Sequence, residues 1–175
     1  RTANPFTLKL GDNVSPNWDP ILTTTQGDWS TSTGLDTTIV AGSTTAKRCR
    51  ATNGMVQVCN STYGKNGWLG VAQIWASGVH ITQGTTKLND TYFNTAKYNT
   101  TPWRNLVMCQ EVGHTLGLDH QDEAFDNPNL GTCMDYTSNP ESNQHPNEHD
   151  YEQLEIIYGH TDAGTTVAET STGSN

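Results

Sequence analysis

The stretch Cys109 to His120 reads CQEVGHTLGLDH and brings a Gln, a Glu and two His close together. On a helix, which turns about 100° and rises about 1.5 Å per residue, Gln110 and His114 lie about 40° apart on one face, one turn from each other. Their donor atoms can point at one metal ion. Continued helix would carry His120 about 240° round from His114, so the chain has to break between them. Gly117 stands where that break is needed, and glycine enters a left-handed C-terminal cap at least cost. Glu111 projects between the candidate ligands and solvent, where a carboxylate can take a proton from water without binding the metal itself. The chemistry these types and spacings fit is metal-assisted hydrolysis, with Gln110, His114 and His120 as ligands and Glu111 as general base.

This stretch resembles the zinc-binding signature H-E-x-x-H-x-x-G-x-x-H of the metzincin clan of zinc endopeptidases, and it matches every fixed position except the first, where Gln110 replaces His. The clan's second mark, a methionine turn, has a counterpart in Cys133-Met134-Asp135-Tyr136, with Met134 14 residues beyond His120. The resemblance implies an α+β fold with a twisted, mostly parallel sheet and backing and active-site helices above the cleft. Below them it implies a small lower subdomain with the methionine turn and a C-terminal helix. The catalytic domain would span 1–160, with the upper subdomain at 1–117 and the lower at 118–160, and 161–175 would be a Thr/Ser-rich tail or linker.

The resemblance also assigns roles. One catalytic Zn2+ would be held by Gln110, His114 and His120 with a fourth position open to water, as in catalytic zinc sites. Met134 would form an apolar floor beneath the metal without coordinating it. Tyr136 stands two residues after Met134, where the astacin-like and serralysin-like branches carry a tyrosine that binds zinc or stabilises the oxyanion, so a transition-state role is implied beside a purely structural one. Gln110 is expected to coordinate through its side-chain oxygen, with its amide nitrogen held by an acceptor behind it. The function implied is a secreted endopeptidase that hydrolyses peptide bonds. Because a carboxamide is a weaker donor than imidazole, the alternative is an inactive metzincin-fold module that binds peptide or protein with little or no zinc. A zinc-stabilised structural module is a third reading, and it leaves Glu111 without a role.

The elements that position these residues are legible as patterns. Phe6-Thr7-Leu8-Lys9-Leu10 alternates as a half-buried strand, and Trp18, Ile21, Leu22 and Trp29 recur at helical intervals between Asn17 and Trp29. Thr37–Ala41 and Met55–Cys59 read as strands. Val79–Thr82 reads as an edge strand, along which an extended substrate peptide is expected to pair, and Thr86–Asn89 as a last strand. Thr101 and Pro102 open the zinc helix, whose buried stripe is Trp103, Leu106, Val107, Val112 and Leu116. Asn147 or a neighbour caps a final helix to Tyr158, closed by Gly159. His80 is weighed as a ligand of a second metal and left as an exposed strand histidine. The acidic residues Asp122, Glu123 and Asp126 could hold calcium, but their spacing is not that of an EF-hand loop and no calcium site is assigned.

Composition bounds the partners. The net charge of -9 and the absence of a Lys/Arg cluster argue against nucleic acid and anionic membrane, since both need a basic face. A monomer is expected. Four cysteines allow three pairings. Cys49 and Cys59 flank the turn-like Ala51-Thr52-Asn53-Gly54, which favours a local bridge and leaves Cys109 with Cys133. The second bridge would tie the zinc helix to the methionine turn, elements that the resemblance sets side by side. Disulfides fit an extracellular setting, and a four-cysteine zinc site is disfavoured because no C-x-x-C pair occurs.

Overall fold

The computed structural model describes residues 6–162. In chain order it holds β1 (Phe6–Asn13), α1 (Asp19–Trp29), β2 (Leu35–Ala41), β3 (Met55–Ser61), β4 (Gly70–Ser77), β5 (His80–Asn89), α2 (Asp90–Phe93), α3 (Thr101–Thr115), a 3-10 turn at Pro140–Ser142 and α4 (Glu148–Tyr158). The strands form one sheet in the order β2-β1-β3-β5-β4. All neighbours run parallel except β4, which is antiparallel to β5. This is an α+β fold with a mostly parallel sheet. Of the 161–175 stretch read as a tail, only Thr161 and Asp162 lie within the described residues.

The sheet edge differs from the sequence expectation. Val79–Thr82 is the tip of a hairpin and the start of β5, and β4 is the edge strand on that side of the sheet. The cause is Gly78: it takes φ +60 at the first central position of the two-residue turn between the paired Ser77 and His80, a conformation that glycine supplies without strain. Val79 follows at the tip, 94% exposed. Beyond it, β5 runs unbroken to Asn89, where separate strands at Val79–Thr82 and Thr86–Asn89 were expected. Gly84 lets β5 pass under α3, since a Cβ there would lie 3.2 Å from the Cβ of Thr115.

Helix α3 is buried along nearly its whole length rather than on one stripe. Arg104, Asn105 and Met108 are buried with Leu106, Val107 and Val112, and Trp103 is only half-buried. The cap is Thr100, one residue before the expected Thr101, and its hydroxyl accepts from the Trp103 N–H at 3.4 Å. Arg104 is tolerated inside because its guanidinium lies over the Trp18 ring, 4.6 Å from the centroid. Helix α1 packs against α3 through Trp29, which is fully buried and donates its indole N–H to the Cys109 carbonyl at 3.2 Å.

The chain after α3 is tied by polar bonds as much as by apolar packing. Asn147 caps α4 in a capping box with Asp150. The buried Asp150 carboxylate also accepts from the Gln121 amide at 2.7 Å and from the Thr132 hydroxyl. Tyr158 donates to the Leu116 carbonyl at 2.7 Å, which fastens the end of α4 to the end of α3. Cys49 is bonded to Cys59 and Cys109 to Cys133. No helix among the described residues is long and apolar enough to cross a membrane, and two disulfides fit an extracellular protein.

The Cys109–Cys133 bridge closes a loop with a sequence separation of 24 that contains every candidate ligand. Loop-closure entropy puts its stabilisation at roughly 3.5 kcal/mol. Cys109→Ala/Cys133→Ala is therefore expected to lose about that much in denaturant unfolding followed by circular dichroism.

Candidate active site

The end of α3 builds the site. Gly117 takes φ +96, its N–H bonds to the His114 carbonyl at 3.0 Å, and the Leu118 N–H bonds to the Gly113 carbonyl at 3.2 Å. These are the paired bonds of a Schellman cap. The reversal aims the Leu118 carbonyl at His114 Nδ1, 2.9 Å away, and swings His120 back until its Nε2 lies 3.0 Å from His114 Nε2. The two rings are nearly perpendicular, at 89°.

The partners on the far side of each ring fix where the protons are. His114 Nδ1 faces a carbonyl oxygen and must donate to it, which leaves a lone pair on Nε2. His120 Nδ1 faces Glu123 Oε1 at 3.3 Å, with Asp119 Oδ1 at 3.9 Å, so the same tautomer is set there. Two lone pairs 3.0 Å apart repel unless a cation sits against both. A proton or a metal ion can serve, and burial pushes the His114 imidazole below its ordinary pKa, opposed by the Leu118 carbonyl and reinforced by His120. Gln110, one turn earlier on α3, is 8% exposed, its amide nitrogen donates to the Cys133 carbonyl at 2.8 Å, and its Oε1 accepts no hydrogen bond among the described residues. Two imidazole nitrogens and a carboxamide oxygen fit a borderline divalent ion such as zinc.

Glu111, also 8% exposed, lies under the edge strand. Burial raises its pKa to about 7, partly offset by the backbone N–H of Ala72 in β4. The close approach of β4 depends on Gly70, because a Cβ there would come within 2.7 Å of both Glu111 Cγ and Val107 Cγ1. Tyr136 packs its ring against His120, centroids 4.3 Å apart, and is stacked on Phe125 at 4.8 Å. Its hydroxyl makes no hydrogen bond among the described residues, and its pKa is raised by burial first and then by Glu123, Glu111 and Asp119.

Met134 is fully buried, and the turn around it is tied at both ends: its N–H bonds to Thr132 Oγ1 at 3.0 Å and its carbonyl accepts from Gln121 N at 2.7 Å. Gly113 makes room for it, since a Cβ there would lie 2.7 Å from Met134 Sδ and 2.7 Å from Trp29 Cζ2. The fold thus brings Gln110, Glu111, His114, His120, Met134 and Tyr136 into one region. Sequence reasoning missed Gly70, Gly113, the Ala72 N–H, the Leu118 and Cys133 carbonyls and Glu123. Only Glu123, three residues from His120 in an acidic stretch, left a side-chain signal. Of the acidic residues weighed for calcium, Glu123 serves His120, and Asp122 Oδ1 accepts from the Ala124 N–H at 2.6 Å.

The raised pKa of Glu111 carries a stability cost whose sign can be worked out. In the metal-free protein the folded state holds this proton up to about pH 7, against an ordinary value of 4.5. No penalty exists below pH 4.5; it grows as pH rises through 7 and levels at about 3 kcal/mol. Glu111→Gln in chelator is expected to unfold like wild type near pH 4 and to be more stable by about 3 kcal/mol at pH 8. Urea titrations at the two pH values check this. A scan of protein-family models and a search of curated proteins both find no match to this chain.

Proposed function

We propose that this chain is a secreted zinc-dependent endopeptidase of the metzincin type. The observation that carries the reading is the pair of imidazole Nε2 atoms facing each other at 3.0 Å, each with its Nδ1 already committed. The rest supports it. Gln110 offers a free Oε1 from the preceding turn of α3, and Glu111 is buried beside the pair with a pKa near neutrality. Zinc bound by Gln110, His114 and His120 would supply Lewis acidity toward a carbonyl and an acidified water.

The chain's own residues do the remaining work. Glu111, poised at about 7, accepts a proton from the attacking water and delivers it to the leaving amine. Tyr136, its hydroxyl unengaged beside His120, donates a hydrogen bond to the oxyanion that develops at the scissile carbonyl. Met134 holds the floor rigid, which keeps the ligand rings in place. The substrate peptide lies extended along β4, the edge strand that covers Glu111, where Val71, Ile74 and Trp75 offer partly exposed apolar side chains.

Metal analysis and a peptidase assay on wild type, Glu111→Ala and Gln110→His test this reading. Glu111→Ala should keep its zinc and lose about 10³-fold in kcat, within the range for a general base. Gln110→His should stay active, bind zinc more tightly at neutral pH and lose activity at a higher pH on acidification. The reason is that each imidazole ligand competes with protons for the metal, whereas the amide never protonates in this range. If wild type carries no zinc in this site while Gln110→His gains both zinc and activity, the chain is instead a non-catalytic module that binds peptide or protein.

A further inference from the structure

We infer that His80, His160 and Asp162 form a second divalent-metal site, built from residues the candidate active site does not use. His80 opens β5, and His160 and Asp162 follow α4, so donors far apart in sequence meet at one place. His80 Nε2 lies 3.2 Å from Asp162 Oδ1, and His160 Nε2 lies 3.6 Å from Asp162 Oδ2. One ligand atom from each of the three falls within 4.8 Å of the other two. Zinc bonds of about 2.0–2.1 Å in a tetrahedral site set donors roughly 3.4 Å apart, so only small side-chain adjustments separate this triad from coordination. Two imidazoles and one carboxylate are a zinc-type donor set with a fourth position open to water.

The surroundings give such a site a structural consequence. Ile81, next to His80, and Ile157 of α4 both approach Gly117, whose added Cβ would lie 3.6 and 3.8 Å from their Cδ1 atoms. The turn end of the β4–β5 hairpin, the end of α4 and the cap of α3 therefore converge beside the triad. A metal there clasps the hairpin to α4, and the other strand of that hairpin covers Glu111 at Gly70. The rival account is an ion pair between protonated imidazole and Asp162, which needs the imidazoles charged.

The test uses the full, untagged chain at pH 8 with zinc as the probe. In the His114→Ala/His120→Ala background, which removes two of the three candidate active-site ligands, calorimetric titration should show one zinc equivalent and a rise in Tm. Adding His80→Ala should abolish both, and adding Asp162→Asn should weaken binding at least tenfold. Absence of binding in that background, or binding that survives His80→Ala, overturns the site. Should the double variant misfold, the intact chain decides: His80→Ala must bind one zinc fewer than wild type, and an unchanged stoichiometry overturns the inference. Peptidase activity is not the readout, so the result stands apart from the endopeptidase reading.

Discussion

Two imidazole Nε2 atoms face each other at 3.0 Å, and much of the surrounding architecture keeps them there. The Schellman cap at Gly117 sets the direction of the chain, and it does so with the same backbone turn that delivers the Leu118 carbonyl to His114. One conformational choice thus fixes both the position of His120 and the tautomer of His114. The Cys109–Cys133 bridge then keeps the turn beneath the helix, and Asp150 gathers Gln121, Thr132 and Asn147 around it. A loop without such ties would leave the position of His120 unset.

The same region carries three departures from ordinary packing. Glu111 is a carboxyl buried beside a strand that only a glycine can bring so close. Gly113 sits mid-helix, where glycine costs about 1 kcal/mol against alanine, and the space it leaves is filled by Met134 and Trp29. Gln110 has half of its amide unsatisfied. Each is unfavourable for stability by itself, and all three lie in α3 within one turn of His114. The buried core along α1 and α3 offsets these costs.

Where a signal was carried by side-chain type, the sequence was informative. The alternation around Leu10, the helical interval from Ile21 to Trp29 and the Asn147 cap all correspond to elements of the fold, although β1 runs on to Asn13 and α1 starts at Asp19. Gly117 was legible because a helix cannot otherwise return His120, and the cysteine pairing followed from a turn and from proximity. What escaped was set by backbone. The position of the sheet edge depended on a hairpin turn at Gly78, and a four-residue window at Val79–Thr82 looks alike whether it ends a hairpin or lines an edge. The short α2 was hidden because its cap, Asn89, belongs to the preceding strand. Carbonyl partners such as Leu118 and Cys133 are invisible in sequence, since every residue owns one.

Gln110 joins these points. Its amide can turn either its nitrogen or its oxygen toward a neighbouring group, and only the oxygen can act as a donor to a cation. The Cys133 carbonyl resolves that choice by taking the N–H at 2.8 Å, and Cys133 is itself the residue that the bridge fastens to Cys109, one position before Gln110. The covalent tie therefore does more than stabilise: it sets the height of an acceptor that orients the side chain next to it. An imidazole at 110 could use that same carbonyl for one ring N–H and turn its other nitrogen inward. On the proposed reading, the geometry behind position 110 suits either residue. The exchange of His for Gln then changes donor strength and proton competition without demanding a different turn.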